Sequence, residues 1–433
     1  MILAGAALLP FNYLVGVDLG PANVRALHLW APVALAVGLV FRPRTQVGTL
    51  APITLLFATT AMAVALSTLL ATPADYRTRG MLDCLMLALN VLAFAVTYAN
   101  LAADSELWQS FFQMLVGASA VASIMLVAQA LTATTTGTLR DDASAFGLGT
   151  VTGTYVTAFA AAAAVSVAFV TSGKARIIAL VALGLHTVAA TLALARGPWV
   201  GFALALTVVV PLGLWVRPGK TLLGPIGRLA TAGVLVGLSV GTLFIFNPAA
   251  LRIALVRVLQ IANLSSGTGL TRVNLFNALL TDALESPVFG HGASAYRRTS
   301  ELIGVQGSIS ENFALEMFHA GGLVAALPFL VGLGLVVMAT FRAVRSAAWG
   351  TMALLCLGAL IAMLFGAMTN PAAWNASYWV TLAMCAALDP VARSGTRSKA
   401  SPHDVGPGGH LTAREAFPPG SRSVADLPEG LTG

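Results

Sequence analysis

Long apolar stretches, separated by short polar or glycine- and proline-marked breaks, run through most of the chain. They cover residues 31–41 with their flanks, 47–71, 81–99, 111–133, 151–170, 177–195, 199–216 and 229–246, and more follow after residue 319. A spanning helix needs roughly 17–25 predominantly apolar residues, which most of these stretches supply. Hydrocarbon offers no hydrogen bonds, so each stretch must satisfy its own backbone, and helix is the predicted state. A transmembrane barrel would instead be written as short alternating segments. Residues 1–17 lack the basic start of a signal peptide and run into apolar sequence, so a short first span is expected there. The pattern as a whole predicts an all-α polytopic transmembrane helix bundle of about 12 spans.

Composition sharpens this. The chain has 433 residues, of which 57% are hydrophobic and 9% charged. A soluble domain carries about 25% charged residues, so this chain could not cover its own surface in water and a lipid bilayer is its implied solvent. The net charge of +7 needs no nucleic-acid partner, because topology accounts for where the cations fall. With a cytoplasmic N-terminus, the inner connections and tail hold Arg42, Arg44, Lys174, Arg176, Arg217, Lys220, Arg228, Arg342, Arg345, Arg393, Arg397 and Lys399. The short outer connections hold Arg25, Arg77, Arg79, Arg140 and Arg196. Twelve cations inside against five outside orients the bundle, and the cation-free inner segment 102–109, with Asp104 and Glu106, carries little weight against it. Both termini are therefore expected in the cytoplasm. Cys84, Cys356 and Cys385 all lie inside apolar runs and are expected as small buried hydrophobes rather than metal ligands or a disulfide.

Two segments interrupt the spans. Residues 247–318 are amphipathic, setting Arg252, Arg257, Arg272, Arg297 and Arg298 against Asp282, Glu285, Glu301, Glu311 and Glu316. On the assigned orientation they form one large extracytoplasmic loop, expected to be helical over 253–261 and 272–284; long ordered loops are usually functional. The bundle, including this loop, takes up residues 1–390. From 391 to 433 the chain is rich in Gly, Pro, Ser and charge, and a disordered cytoplasmic tail is expected.

Charges at a membrane edge are costly and mark candidate chemistry. Arg196 sits in Ala195-Arg196-Gly197-Pro198-Trp199-Val200-Gly201, with almost no loop between two apolar runs. Gly197 and Pro198 would end one helix and open the next. A guanidinium is then expected at the outer face beside a helix N-terminus, where it either binds an anion such as phosphate or snorkels to the interface. In the loop, Arg272 and Phe276 lie one helical turn apart, and Pro287-Val288-Phe289-Gly290-His291-Gly292 reads as a tight turn after that helix. Then Glu311-Asn312-Phe313-Ala314-Leu315-Glu316 leads through His319, Gly321 and Gly322 into the next span. A carboxylate there is either a helix-dipole partner or a general base. In the first half Asp83, near a span start, is the one charge inside an expected span.

The order and spacing of these segments resemble the O-antigen ligase and O-antigen polymerase superfamily of polytopic membrane glycosyltransferases. Residues 195–201 look like its Ser-Arg-Gly-x-Trp-x-Gly signature, and Arg272 with Phe276 followed by 287–292 like its Arg-x3-Trp helix and Pro-x-x-Gly-x-Gly turn. Residues 311–322 look like its His-Asn-x-x-Leu block. The similar part spans roughly 180–345, with Ala195, Phe276 and Glu311 standing where the family has Ser, Trp and His. The Glu for His points toward polymerase-like chemistry rather than lipopolysaccharide ligation. The resemblance implies transfer of glycan from an undecaprenyl-diphosphate-linked donor to a glycan or lipid-linked acceptor, at the outer face of the cytoplasmic membrane and without cofactor or metal. It implies Arg196 and Arg272 on the diphosphate, Glu311 as base and Asn312 orienting base or sugar. His291 and His319 would stand near the substrate, and envelope-assembly proteins are possible partners. From another class, a secondary transporter of a small solute or polysaccharide precursor shares the span count. It would call for a broken helix in each half, and no such pairing is visible. A non-catalytic scaffold is a third alternative.

Overall fold

The computed structural model describes residues 1–9, 11, 16–19, 22–41, 52–132, 173–192, 196–216, 233–234, 237–238, 241, 245, 267–305, 312–346, 349–368 and 374–398. Within them the protein is all-α apart from one hairpin. The helices are α1 (Ile2–Leu8), α2 (Ala26–Phe41), α3 (Pro52–Ala71), α4 (Ala74–Ala103), α5 (Leu107–Thr132), α6 (Gly173–Leu192), α7 (Arg196–Val216), α8 (Gly267–Glu285), α9 (Tyr296–Leu302), α10 (Phe313–Val344), α11 (Gly350–Ala367) and α12 (Ala376–Ser398). Three of them, α3, α4 and α10, are long and apolar enough to cross a membrane. The expected spans at 151–170 and 229–246, and the expected helix at 253–261, fall wholly or largely outside the described residues.

Sequence expectation and structure part at both ends. The expected first span over 1–17 is instead the seven-residue α1, then strand β1 (Gly16–Leu19) paired antiparallel with β2 (Ala22–Arg25). Seven residues rise only about 10 Å, too short to cross a bilayer. The hairpin is anchored by His28, whose Nδ1 accepts from the Arg25 amide at 3.0 Å while Nε2 donates to Asn90 Oδ1 on α4 at 3.0 Å. At the other end α12 continues to Ser398, past the expected start of the tail at 391, and Val391 is buried.

The core lies where α3, α4, α10 and α12 meet. Phe57 of α3 packs edge-on against Phe94 of α4 and Trp379 of α12, both with ring centroids at 5.0 Å, and Phe329 of α10 closes the group. Such edge-to-face pairs add about 0.5–1.5 kcal/mol each beyond burial. The opposite faces are also apolar: Leu55, Met62, Leu66 and Leu70 of α3, and Leu323, Leu327, Leu330 and Met338 of α10, are exposed. A helix in water would carry polar residues there; apolar side chains on both faces call for an apolar solvent. Cys84, Cys356 and Cys385 are buried and free, as expected. Elsewhere α7 packs along α11 and α5 against α6.

Helix α10 is broken near its start. Gly322 has φ 58° and ψ −157°, a region essentially reserved for glycine. Four backbone groups around the break pair with the turn after α8. His291 N donates to His319 O at 2.8 Å, Gly292 N to Ala320 O at 2.9 Å, Leu323 N to Pro287 O at 2.8 Å and Val324 N to Val288 O at 3.2 Å. The fit is backbone against backbone, so no side chain has room. A Cβ on Gly322 would stand 2.2 Å from Val288 O, and one on Gly290 2.6 Å from His319 O. Gly322→Ala is expected to destabilise the protein by more than the roughly 1–3 kcal/mol of a strained residue, and to expose the 287–305 segment to protease. A detergent-solubilised variant with wild-type melting temperature and cleavage pattern would count against this role for the break.

Candidate functional site

The turn that fills the break also docks on the α3–α4 connection, so three parts of the chain converge there. Thr72 Oγ1 donates to His291 O at 3.1 Å, and Thr68 Oγ1 accepts from the Ala293 amide at 2.9 Å. Gly80 lies so close that a Cβ there would meet Ala293 O at 2.6 Å. Ser294 hydrogen-bonds Asp83 of α4 and holds a positive φ of 64°, uncommon for a residue with a Cβ. Farther along, Tyr76 donates to Glu301 Oε2 at 2.6 Å.

Asp282, in the last turn of α8, is the hub. Its Oδ2 accepts from His319 Nε2 at 2.7 Å and from Thr299 Oγ1 at 2.5 Å, and its backbone carbonyl accepts from His291 Nε2 at 2.7 Å. The two imidazole centroids are 5.3 Å apart. Because Nε2 of His319 is spent as a donor, its Nδ1 is left as the basic nitrogen of the neutral ring. The His319 hydrogen bond first, then that of Thr299, lowers the Asp282 carboxyl from its ordinary 3.8 to about 2 against the opposing effect of burial.

Beside this hub is a small cleft of about 10 Å³, lined by Leu279, Ser294, Tyr296, Glu316, His319 and Trp374 among others, which has room for about one water molecule. Glu316 and His319 are i and i+3 on α10 and so share a face; they are 5% and 2% exposed, placing a carboxylate and an imidazole side by side out of bulk water. Burial pushes the Tyr296 hydroxyl up to about 12, so it stays a hydrogen-bond donor at neutral pH.

Against the sequence-based candidates, His291 and His319 are brought together. Asn312 caps α10, its Oδ1 accepting from the amides of Ala314 and Leu315 at 3.1 Å each, the ordinary task of an N-cap residue. Arg272 lies exposed on α8, which packs on α10 and α9. Arg196 is the first residue of α7, whose main neighbour is α11. Glu311 lies outside the described residues. Asp282, Glu316, Ser294 and Tyr296 were not singled out from sequence; the i, i+3 spacing of Glu316 and His319 was the available signal. Among the described residues no group of three His, Cys, Asp or Glu side chains is arranged to hold a metal ion.

A carboxyl depressed in the fold contributes stability that is present above its unfolded value and lost as pH falls through its folded one. Asp282 should therefore support the loop above pH 3.8 and release it progressively toward about 2. Asp282→Asn is expected to lower the melting temperature at neutral pH and to flatten the acid limb over that window; parallel melting curves for variant and wild type down to the acid end would refute the assignment. Compared with known proteins, the chain matches no family model and no curated sequence, so its function has to be read from these residues and their geometry.

Proposed function

We propose that this chain is a multi-pass membrane glycosyltransferase similar to the O-antigen ligases and polymerases. On this proposal it has about 12 spans, cytoplasmic termini and its active cleft at the outer face of the cytoplasmic membrane. One observation carries the proposal. Two segments on which the resemblance rests, 287–292 and 312–322, are hydrogen-bonded to one another and flank a cleft holding Glu316 and His319. The helix bearing the third, Arg272, also carries the hub residue Asp282.

The chemistry follows from the donor. An acceptor hydroxyl loses its proton to a base in the cleft, His319 Nδ1 or the Glu316 carboxylate. Its oxygen bonds to the anomeric carbon, and the bond from that carbon to the diphosphate oxygen breaks. The electron pair leaves with undecaprenyl diphosphate, whose developing charge cationic side chains stabilise; Arg196 and Arg272 are the candidates by resemblance. Asp282 holds the tautomer and orientation of His319 and carries the opposite charge when the imidazole is protonated. Glu311 keeps its role as alternative base by resemblance alone.

The broken α10 is the observation that favours a transporter, since discontinuous helices bind solutes through freed backbone groups. Here the four backbone groups at the break are taken by 287–292, which leaves the transporter without the binding groups that would recommend it.

In proteoliposomes supplied with lipid-linked glycan and acceptor, His319→Ala and Glu316→Gln are each assayed for product. Loss of the base should lower turnover by about 10²–10⁴-fold, with lipid-linked precursor accumulating in cells. Undiminished product from both correctly inserted variants, together with lost flux of a small solute, would replace the transferase with the transporter.

A further inference from the structure

Helix α8 shows three faces where a surface helix in water shows two. Leu275, Leu279 and Ala283 are buried on the side that packs against α9 and α10, and Leu275 and Leu279 join Tyr296 and Leu315 in one apolar cluster. At about 100° per residue, the exposed remainder divides into two flanks. Thr271, Asn274, Thr281 and Glu285 fall along one, and Leu270, Val273, Phe276 and Leu284 along the other. The apolar flank runs on into the turn after the helix, where Val288 and Phe289 are exposed, Phe289 at 62%. A surface with water on every side gains nothing from such a division. One that lies along a boundary between water and hydrocarbon requires it.

The position of the turn on α10 locates that boundary. Val288 O accepts from Val324 N at 3.2 Å, and both residues are exposed, so the apolar surface of the turn is continuous with that of α10. There it continues through Leu323, Leu327 and Leu330, the outward side of a helix long and apolar enough to cross a membrane. At the far end of α10, Arg342 lies 3.8 Å from Asp389 of α12, a charged pair that marks the other membrane edge. From Leu323 to Arg342 a helix rises about 29 Å, close to the hydrocarbon thickness of about 30 Å. The turn and the end of α8 therefore stand at the opposite edge. Arg272 and Asn277, which border or interrupt the apolar flank, agree with headgroup depth, where a polar group reaches water from an apolar surface.

We propose that α8 is an interfacial helix: Leu270, Val273, Phe276 and Leu284, with Val288 and Phe289 of the turn, dock on the lipid surface. Thr271, Asn274 and Glu285 face water. Apolar side chains of such a helix sink about 5–10 Å into the boundary between headgroups and acyl chains. The segment around α8 is then part of the membrane-embedded body rather than an appendage in water. The cleft stands at the same depth, since Leu279 of α8 lines it. The proposal rests on α10 lying in a bilayer and is independent of any transferase activity.

The test uses the full chain in phosphatidylcholine liposomes, with one cysteine introduced at a time and spin-labelled. Val273→Cys, Leu284→Cys and Phe289→Cys probe the apolar flank, Asn274→Cys the polar flank, and Leu327→Cys supplies the reference on α10. Cys84, Cys356 and Cys385 are buried, and the unsubstituted chain gives the background. Each label is relaxed by oxygen, which concentrates in hydrocarbon, and by a water-soluble nickel chelate. The ratio of oxygen to nickel access at positions 273, 284 and 289 should exceed that at 274 severalfold and approach that at 327. Ratios equal to that at 274 would put the flank in water and overturn the proposal. Loss of access to both reagents would also overturn it, because a second copy or another segment of this chain would then cover the flank. Nickel access at 327 would remove the bilayer placement of α10, and the proposal with it. A photoactivated carbene reagent confined to the hydrocarbon needs no substitution. It should label residues 270–289 of the unsubstituted chain, and labelling of 323–331 without 270–289 would overturn the interfacial placement alone.

Discussion

A backbone that leaves the helical path in or near hydrocarbon must find new partners for every N–H and C=O it releases. At Gly322 this chain leaves that path, and the turn 287–292 supplies the partners. That exchange fixes the position of much else. It sets His291 against His319 and brings Asp282, at the end of α8, within reach of both. It also carries the following residues onto Thr68, Thr72 and Asp83. Without the break, α10 would be a straight span with nothing to hold a loop at its mouth.

The polar groups at this junction are tied in a way that leaves reactive capacity over. Asp282 serves two imidazoles and a hydroxyl, which fixes their geometry, while Glu316 and His319 retain faces toward the cleft. Rigid support of a few titratable groups around a water-poor cavity is what acid–base chemistry requires. The surrounding aromatic core of Phe57, Phe94, Phe329 and Trp379 gives the arrangement a stiff base on which small displacements are resisted.

The apolar runs made α3, α4 and α10 legible, because length and uniform hydropathy are local properties. The helix over 272–284 was legible from its amphipathic pattern, which is also a local property, and lies within α8. The hairpin at 16–25 was not: two four-residue strands leave too little pattern to outweigh the apolar residues before them. The site was half legible. The stretches 287–292 and 311–322 marked in the sequence contain residues that pair in the fold, but the sequence did not say which side chains meet. Asp282 reaches His319 across 37 positions and Thr72 reaches His291 across 219, and no local period records such pairings. Asn312 looked like a substrate residue because capping and catalysis favour the same side chains; its two amide partners show it capping.

The docking of the second half of the chain on the α3–α4 connection also sets an order of events. Thr68, Thr72 and Asp83 are made early, whereas the residues they hold, 291 to 294, and the break that holds those in turn, are made more than two hundred residues later. During synthesis the early hairpin therefore enters the bilayer with an open socket, and the cleft exists only once α10 has been inserted behind it. A chain cut short before that point carries the socket without the cleft, so the two can exist together only in a chain that has passed α10.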